Sequence, residues 1–329
     1  MNFEKIIGNN DIIENLIFMV ENDKINHALL FDGISGIGKK YAAKILAKSI
    51  FCNGENPPCN ECSKCIQFEK GTNPDFILIE EENNVIKKDS IVEVIDFLSI
   101  KPFDSKYKIA IIDGFDKATP EAQNAFLKTL EEGPSYGIII LLSQNSKNIL
   151  DTVLSRVKIY NFSPIDKYRL VEYIIDRYNI KEEEANFYAN FSNGSIGKTI
   201  KIINDDSFRK QRKEYIDIFD KALKGQNDYV LSNINLFKDV ENLDDVLEMY
   251  LTWLRDLYIL KKTGKGKYLY NIDYEEKLNS QSHLTFETID RIKKLIINLK
   301  GNLKYNISKD FALDLFFIDI LEECQWQKQ

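Results

Sequence analysis

The stretch Gly33-Ile34-Ser35-Gly36-Ile37-Gly38-Lys39-Lys40 lies between the apolar run Ala28 to Phe31 and a segment of helical spacing from Tyr41 to Ile50. The first run predicts a buried strand and the second a helix. A glycine-rich turn between a strand and a helix can surround a phosphate with backbone N–H groups at the helix N-terminus. The stretch therefore predicts a phosphate-binding loop in an α/β domain. A plain strand-to-helix connection remains the alternative on these residues alone.

The loop follows the spacing G-x-x-x-x-G-K-[ST] up to its last position. In that pattern Lys39 reaches the β- and γ-phosphates, and the next residue supplies a hydroxyl to Mg²⁺. Here the next residue is Lys40, which offers no oxygen to a metal and adds a charge that repels it. We therefore expect Gly33, Gly36, Gly38 and Lys39 to form a degenerate nucleotide site that binds ATP or ADP weakly.

Four cysteines follow within fourteen residues: Cys52, Cys59, Cys62 and Cys65. Four thiolates this close can hold Zn²⁺ in a tetrahedral site with no position left for water, which is typical of a structural site. An iron–sulfur cluster is a competing interpretation, but no Cys-Pro follows the run. Free thiols are a third. We expect zinc, and we expect the fifth cysteine, Cys324, to be a buried core residue.

Composition excludes some classes of protein. The chain has 329 residues, a formal net charge of -7 and 44% apolar residues, which argues against a protein that coats DNA with its whole surface. The basic run Arg209, Lys210, Arg212 and Lys213 is expected to be a solvated helix face. Since the N-terminus lacks a leader pattern and no apolar run is long enough to span a bilayer, we expect a cytoplasmic protein.

Four further runs predict strands of the same sheet: Asp75 to Glu80, Lys108 to Asp113, Gly137 to Ser143 and Val157 to Phe162. Asp113 ends its strand where phosphate-loop ATPases carry an Mg²⁺-binding carboxylate, so it joins the candidate nucleotide site. Many such enzymes have a second acid next, and this chain has Gly114. Asp116 is expected to be a surface or capping acid.

The prolines indicate where the α/β part ends. All seven lie at or before Pro164, and the remaining 165 residues contain none. Apolar spacing of three and four residues in that second half predicts helices, clearest at Tyr168 to Ile175, Val246 to Leu260 and Ile289 to Leu299. The sequence therefore predicts an α/β fold followed by an all-α part.

Taken together, these motifs resemble the bacterial clamp-loader AAA+ family over nearly the whole chain. The resemblance rests on an ordered set of features: Gly33 to Lys39, the four cysteines, Asp113, the segment Gln123-Asn124-Ala125-Phe126-Leu127-Lys128-Thr129-Leu130-Glu131-Glu132, and Ser155-Arg156. It implies a RecA-like P-loop domain at 1–163 with a zinc module at about 52–65. It also implies a small helical lid at 164–206 and a C-terminal helical collar for oligomerisation at 207–329.

The family resemblance also implies a function in DNA replication. The assembled loader uses ATP to open the sliding clamp and place it on primed DNA for the replicative DNA polymerase III. The implied partners are ATPase subunits of the gamma/tau type and a delta subunit, with the clamp and primed DNA in a hetero-pentamer. No membrane is implied.

Departures from the family pattern predict which role this subunit takes. Lys40 removes the loop hydroxyl, Gly114 removes the second carboxylate, and Gly197 stands where ATPase members carry a sensing arginine. Because phosphoryl transfer depends on positioning and charge stabilisation, we expect no intrinsic ATPase activity. Two rival interpretations remain open: an active clamp-loader ATPase subunit, and a free-standing zinc-dependent nucleic-acid binder.

Arg156 keeps a use in this interpretation. By resemblance to the family's Ser-Arg-Cys motif, Ser155 and Arg156 are expected to contribute to catalysis in trans, with Arg156 as the arginine finger of a neighbour's site. Val157 replaces the motif's cysteine and puts the local packing in doubt. From the sequence alone, a surface salt bridge is the competing interpretation of this arginine.

Overall fold

A computed structural model describes residues 2–237, 240, 243–303 and 308–325. The chain divides into two compact units. The first comprises Met1–Leu170 with Gly194–Lys198, and the second comprises Val171–Asn193 with Thr199–Gln329.

A parallel sheet with the strand order β2-β3-β4-β1-β5 forms the centre of the first unit. Its strands are β1 Ala28–Asp32, β2 Phe76–Ile79, β3 Lys108–Asp113, β4 Gly137–Ser143 and β5 Lys158–Asn161. The central strands are apolar runs because helices cover both faces of a parallel sheet. Asp32 pairs in register with Ser143, and Asp113 pairs with Leu142. The carboxyl ends of β1, β3 and β4 therefore meet at one edge.

Helices pack against this sheet in the first unit. They are α1 Asn10–Glu21, α2 Lys39–Phe51, α3 Ser63–Glu69, α4 Lys88–Ser99, α5 Pro120–Glu132 and α6 Asp151–Leu154. Helix α5 begins with a hydroxyl cap and a proline: the Thr119 hydroxyl accepts a hydrogen bond from the backbone N–H of Ala122, and Pro120 occupies the first turn. Lys87 is the N-cap residue of α4 and makes no side-chain cap hydrogen bond, although Asp89 and Ser90 nearby are of the residue types that usually cap helices.

The rest of the described chain is helical. Its helices are α7 Lys167–Tyr178, α8 Glu182–Phe191, α9 Ile196–Asn204, α10 Asp206–Leu223, α11 Asn227–Asn233, α12 Leu243–Thr263, α13 Glu275–Ser280, α14 Phe286–Asn302 and α15 Lys309–Gln325. The three helices predicted from apolar spacing lie within α7, α12 and α14. Cys324 is buried, as expected. The predicted fold class, a RecA-like α/β part with an all-α part, is confirmed.

One expectation about the second unit is wrong. Arg212 is buried and is not part of a solvated basic face. Its guanidinium lies 2.5 Å from the Asp273 carboxylate and 3.5 Å from the centre of the Phe187 ring. The side chains of Arg209 and Lys210 lie outside the described part of the structure. The run of basic residues in the sequence does not reveal that Arg212 pairs with a carboxylate and an aromatic ring from distant parts of the chain.

The predicted domain boundaries at 163/164 and 206/207 stay a prediction, because the two compact units describe packing and not the three functional domains. Within the described residues, every helix is too short or too polar to cross a membrane.

Candidate nucleotide site and thiol cluster

The glycines of the loop stand where a side chain would be strained or would collide. Gly33, Gly36 and Gly38 have φ angles of +151°, +72° and +107°, in the region that favours glycine. A Cβ on Gly33 would lie 2.5 Å from the carbonyl oxygen of Phe162. Gly38 is the N-cap residue of α2, so the loop leads directly into the helix N-terminus. This is the local geometry that a phosphate loop requires.

Lys39 folds back over its own loop. Its Nζ donates hydrogen bonds to the carbonyl oxygens of Gly33 at 2.6 Å and Ile34 at 2.8 Å. Burial lowers the pKa of Lys39, while the carboxylates of Asp113 and Asp32 oppose that change. The lysine is therefore bonded to the backbone of its own loop.

Lys40 pairs with two carboxylates at the carboxyl edge of the sheet. Its Nζ contacts Glu80, which follows β2, and lies 3.1 Å from Oδ2 of Asp113, which ends β3. Burial opposes the charge, but the hydrogen bonds to Glu80 and Asp113 outweigh it and raise the pKa of Lys40. The bond to Lys40 in turn lowers the pKa of Glu80. The ammonium group of Lys40 thus contacts Asp113, the carboxylate that the sequence predicted as an Mg²⁺ ligand.

The residues after Asp113 correct one expectation. Gly114 has a φ of +83°, and a Cβ there would lie 2.8 Å from Oε2 of Glu81. Asp116 was expected to be a surface or capping acid, and the surface alternative is wrong because the residue is buried. Its Oδ1 accepts a hydrogen bond from the backbone N–H of Gln144 at 3.1 Å. The carboxylate holds the segment after β4 against the segment after β3.

The segment Gly194–Lys198 contacts the loop within the first unit. The Ser195 hydroxyl donates a hydrogen bond to the carbonyl oxygen of Ser35 at 2.8 Å. The backbone N–H of Gly197 donates to the carbonyl oxygen of Gly36, also at 2.8 Å. A Cβ on Gly197 would lie 2.9 Å from Cα of Gly36. The absence of a Cβ at Gly197 therefore allows its backbone to approach the backbone of Gly36 closely.

Arg156 makes a surface ion pair in the single chain. Its Nη2 lies 2.7 Å from Oε2 of Glu131, and its Nη1 donates to the Thr152 carbonyl at 2.9 Å and the Ser155 hydroxyl at 3.3 Å. The side chain is 32% exposed. Val157 is partly buried and packs against the hydrophobic core of the first unit.

The sheet separates Arg156 from the loop. Arg156 precedes the amino end of β5, whereas the loop follows the carboxyl end of the parallel neighbour β1. Strands of four or five residues are roughly 13–17 Å long, which exceeds the reach of an arginine side chain. The structure thus brings together Gly33, Gly36, Gly38, Lys39 and Asp113, and it leaves Arg156 at the opposite edge.

Glu80 is the site residue that sequence reasoning missed. It belongs to the run Glu80-Glu81-Glu82, which has the composition of a solvated loop. Its place at the end of the predicted strand Asp75 to Glu80 was the available signal, because the carboxyl ends of parallel strands share one edge with the phosphate loop.

The four cysteine sulfur atoms all lie within 4.8 Å of one another, and those of Cys59 and Cys65 are 4.0 Å apart. Tetrahedral zinc at about 2.3 Å from each sulfur requires sulfur atoms about 3.8 Å apart, so the donor set fits such an ion. Backbone N–H groups support the thiols: those of Gly54 and Cys59 donate to Cys52 at 3.3 Å. The cluster can therefore hold a metal ion.

Hydrogen bonding also favours the thiolate form at Cys62, the N-cap residue of α3. Burial raises the pKa of Cys62, but hydrogen bonds from the N–H groups of Asn53 and Cys65 and from the neighbouring thiols outweigh that effect and lower the pKa to about 6. Hydrogen bonds from backbone N–H groups also lower the pKa of Cys59, whereas burial raises the pKa of Cys52 and of Cys65. The thiolate form is therefore favoured at two of the four cysteines.

Comparison with known proteins gives concordant matches. Residues 8–166 match a family model described as DNA polymerase III, delta subunit. The chain is 26% identical over 294 residues to the DNA polymerase III subunit delta' of Bacillus subtilis, covering 88% of this chain and 89% of the relative. It is 35% identical over 189 residues to the Bacillus subtilis subunit tau, covering 56% of this chain and 33% of the relative.

A solved structure of a DNA polymerase III gamma subunit-related protein from Thermotoga maritima also matches. It is 19% identical, with a TM-score of 0.48, over 94% of this chain and 99% of that chain.

Proposed function

We propose, on the premise that this chain is a homologue of the DNA polymerase III delta' subunit, that it is a non-hydrolysing subunit of a cytoplasmic clamp loader. It would join gamma/tau-type ATPase subunits and a delta subunit in a hetero-pentamer. That complex would place the sliding clamp on primed DNA. In this assignment residues 1–163 are the RecA-like domain, 164–206 the lid and 207–329 the oligomerising collar.

The observation that carries the proposal is the ion pair between Lys40 and Asp113. Hydrolysis of ATP needs an Mg²⁺ ion between the loop hydroxyl and the strand-end carboxylate. This chain has no hydroxyl at position 40, and its ammonium group lies against that carboxylate. Since Gly114 and Gly197 also lack the side chains expected of an ATPase member, three contributions to transition-state stabilisation are missing.

Arg156 is the residue with which this subunit contributes to ATP hydrolysis in the site of a neighbouring subunit. The length of the sheet prevents it from acting on its own loop, so a phosphate that it contacts must belong to a neighbour. Glu131 holds the guanidinium at the surface with one carboxylate oxygen contacting two nitrogens, Nε at 3.0 Å and Nη2 at 2.7 Å. A neighbour's γ-phosphate would compete with that single carboxylate for a bidentate contact.

The thiol cluster would hold structural Zn²⁺ in this assignment. Cys52, Cys59, Cys62 and Cys65 would supply all four ligands, and the ion would stabilise the segment without taking part in chemistry.

An active ATPase of the gamma/tau type is the rival function. It is favoured by the presence of Lys39 in its place and by the identity to subunit tau. The arrangement of Lys40 opposes it.

Reconstitution separates the two functions. The loader is assembled with its ATPase and delta subunits, clamp and primed DNA, and single-turnover ATP hydrolysis is measured. Arg156→Ala is expected to slow the adjoining site on the order of 10³-fold, whereas Lys39→Ala changes little. Lys158→Ala, an exposed lysine two residues away, is the matched control for lost charge. If Lys39→Ala abolishes hydrolysis and Arg156→Ala does not, this subunit is an ATPase.

A further inference from the structure

The phosphate-loop fold implies an Mg²⁺ ion beside Asp113, and the residues present do not fit one. A magnesium ion in such a site is held by a loop hydroxyl, a strand-end carboxylate and phosphate oxygens. Position 40 supplies an ammonium group in place of the hydroxyl. That group already contacts Asp113 at 3.1 Å and also pairs with Glu80.

The two carboxylates beside Lys40 already have a cationic partner without a metal. Glu80 and Asp113 both contact the Lys40 ammonium, and the Lys39 ammonium donates to backbone carbonyls of the loop. A divalent cation would have to displace Lys40 from both carboxylates, and the displaced ammonium is tethered to the same helix start. The Lys40 ammonium thus occupies the position beside Asp113, and its charge makes that position unfavourable for Mg²⁺.

The same arrangement suits a polyanion. Helix α2 begins at Lys39, so its N-terminus faces the loop opening. Lys39 can exchange its two hydrogen bonds to backbone carbonyls for bonds to a phosphate. Lys40 can keep Asp113 while another of its three protons contacts a phosphate. Two ammonium groups and a helix N-terminus provide the charge that a metal ion would otherwise bring.

We infer that Lys40 is a built-in counter-cation that replaces Mg²⁺, so that the loop binds a nucleoside diphosphate in metal-free form. The inference deepens the proposed function, since it rests on the same loop, but it does not depend on Arg156.

The test compares binding of a fluorescent ADP analogue to the full-length chain with and without Mg²⁺. Metal is removed from the buffer by resin and not by a soluble chelator, so that the thiol cluster keeps its ion. The wild-type affinity is expected to change less than about twofold between the two buffers, whereas Lys40→Thr restores a hydroxyl and gains at least about tenfold from Mg²⁺. Lys44→Thr, one turn further along α2, is the matched control and should behave like wild type.

Three results would overturn the inference: a wild-type affinity that rises tenfold or more with Mg²⁺, no binding by the wild type in either buffer, or a Lys40→Thr variant that folds and gains no Mg²⁺ dependence. Thermal melting verifies that each variant is folded. The proposed function is tested separately, because a failure here leaves the effect of Arg156→Ala on the reconstituted loader unchanged.

Discussion

Helix α2 has a candidate site at each end, and the two ends contrast. At its start, the phosphate loop keeps its glycines and Lys39, but the position for a metal is taken by Lys40. At its other end, Cys52 follows the helix, and four sulfur atoms lie within 4.8 Å of one another with their ligand set complete. In our proposal the loop end uses an internal cation in place of a metal, whereas the cysteine end could hold a metal ion. The contrast between the two ends is therefore one between a site without a free metal position and a site with four converging ligands.

Two lysines on α2 repeat this contrast. Lys40 is 36% exposed and pairs at the open edge of the sheet. Lys48 is 1% exposed, and its Nζ donates to Oδ1 of Asn60 at 2.8 Å and Oε1 of Glu69 at 2.6 Å. Lys48 thus connects α2 to the segment between the cysteines and to α3. We expect the cluster end to determine stability and the loop end to tolerate change.

The largest effect is expected from removing a ligand of the cluster. Cys65→Ser should abolish binding of about one zinc per chain and lower the free energy of unfolding by about 4 kcal/mol or more, because metal binding contributes directly to folding. Elemental analysis and denaturant unfolding measure both effects. Cys324→Ser, a buried cysteine outside the cluster, is the control and should keep the zinc. Iron in the wild-type protein, or zinc retained without Cys65, would refute the assignment.

A smaller effect is expected from Lys48→Met, which keeps the length of the side chain but removes its charge. We expect a loss of about 2 kcal/mol, below the usual cost of breaking a buried pair, because Glu69 remains exposed to water.

This loss should depend on pH. The hydrogen bond from Lys48 lowers the pKa of Glu69, so the contribution is present above the ordinary carboxyl pKa and is lost as the pH falls through the lowered one. Urea unfolding of both proteins from neutral to acid pH measures the difference. An equal difference at all pH values would mean that Lys48 acts through packing and not through this pair.

Gly54→Ala tests how closely the backbone surrounds the sulfur atoms. A Cβ there would lie 2.7 Å from Cβ and 2.9 Å from Sγ of Cys59, so we expect a cost of about 1–2 kcal/mol and weaker zinc retention. Gly301→Ala is the control, since no described atom lies within 4 Å of its Cβ position. That substitution lies in a helix and should stabilise the protein slightly. Unchanged zinc retention in Gly54→Ala would show that the segment can widen freely.

The smallest effect on stability is expected from Lys40→Ala. Its ion pairs are partly exposed, so the free energy of unfolding should change by less than about 1 kcal/mol. Thermal melting at low and high salt measures it. A loss as large as that of Lys48→Met would remove the contrast between the two ends of α2.

The sequence predicted those features that are local. The bounds of β3 and β4 agree with the predicted runs because continuous apolar residues mark buried parallel strands. The glycine spacing and the cysteine spacing each place their groups within a few residues, so neither needed knowledge of the tertiary fold.

Features that depend on distant residues could not be read in this way. Glu80 and Asp113 are 40 and 73 residues from Lys40, and only the strand order brings them to the same edge. Asp116 was expected to be a surface or capping acid and Arg212 part of a solvated face, because polar residues usually lie at the surface. Both are buried, and each has a partner distant in sequence, Gln144 and Asp273 respectively.

Steady-state hydrolysis of Mg-ATP by the purified full-length chain tests the central claim most directly, with Lys39→Ala as the background. The account predicts that the wild type shows no turnover above this variant, because Lys40 takes the place of the metal at Asp113. A sustained wild-type rate that Lys39→Ala abolishes would contradict it.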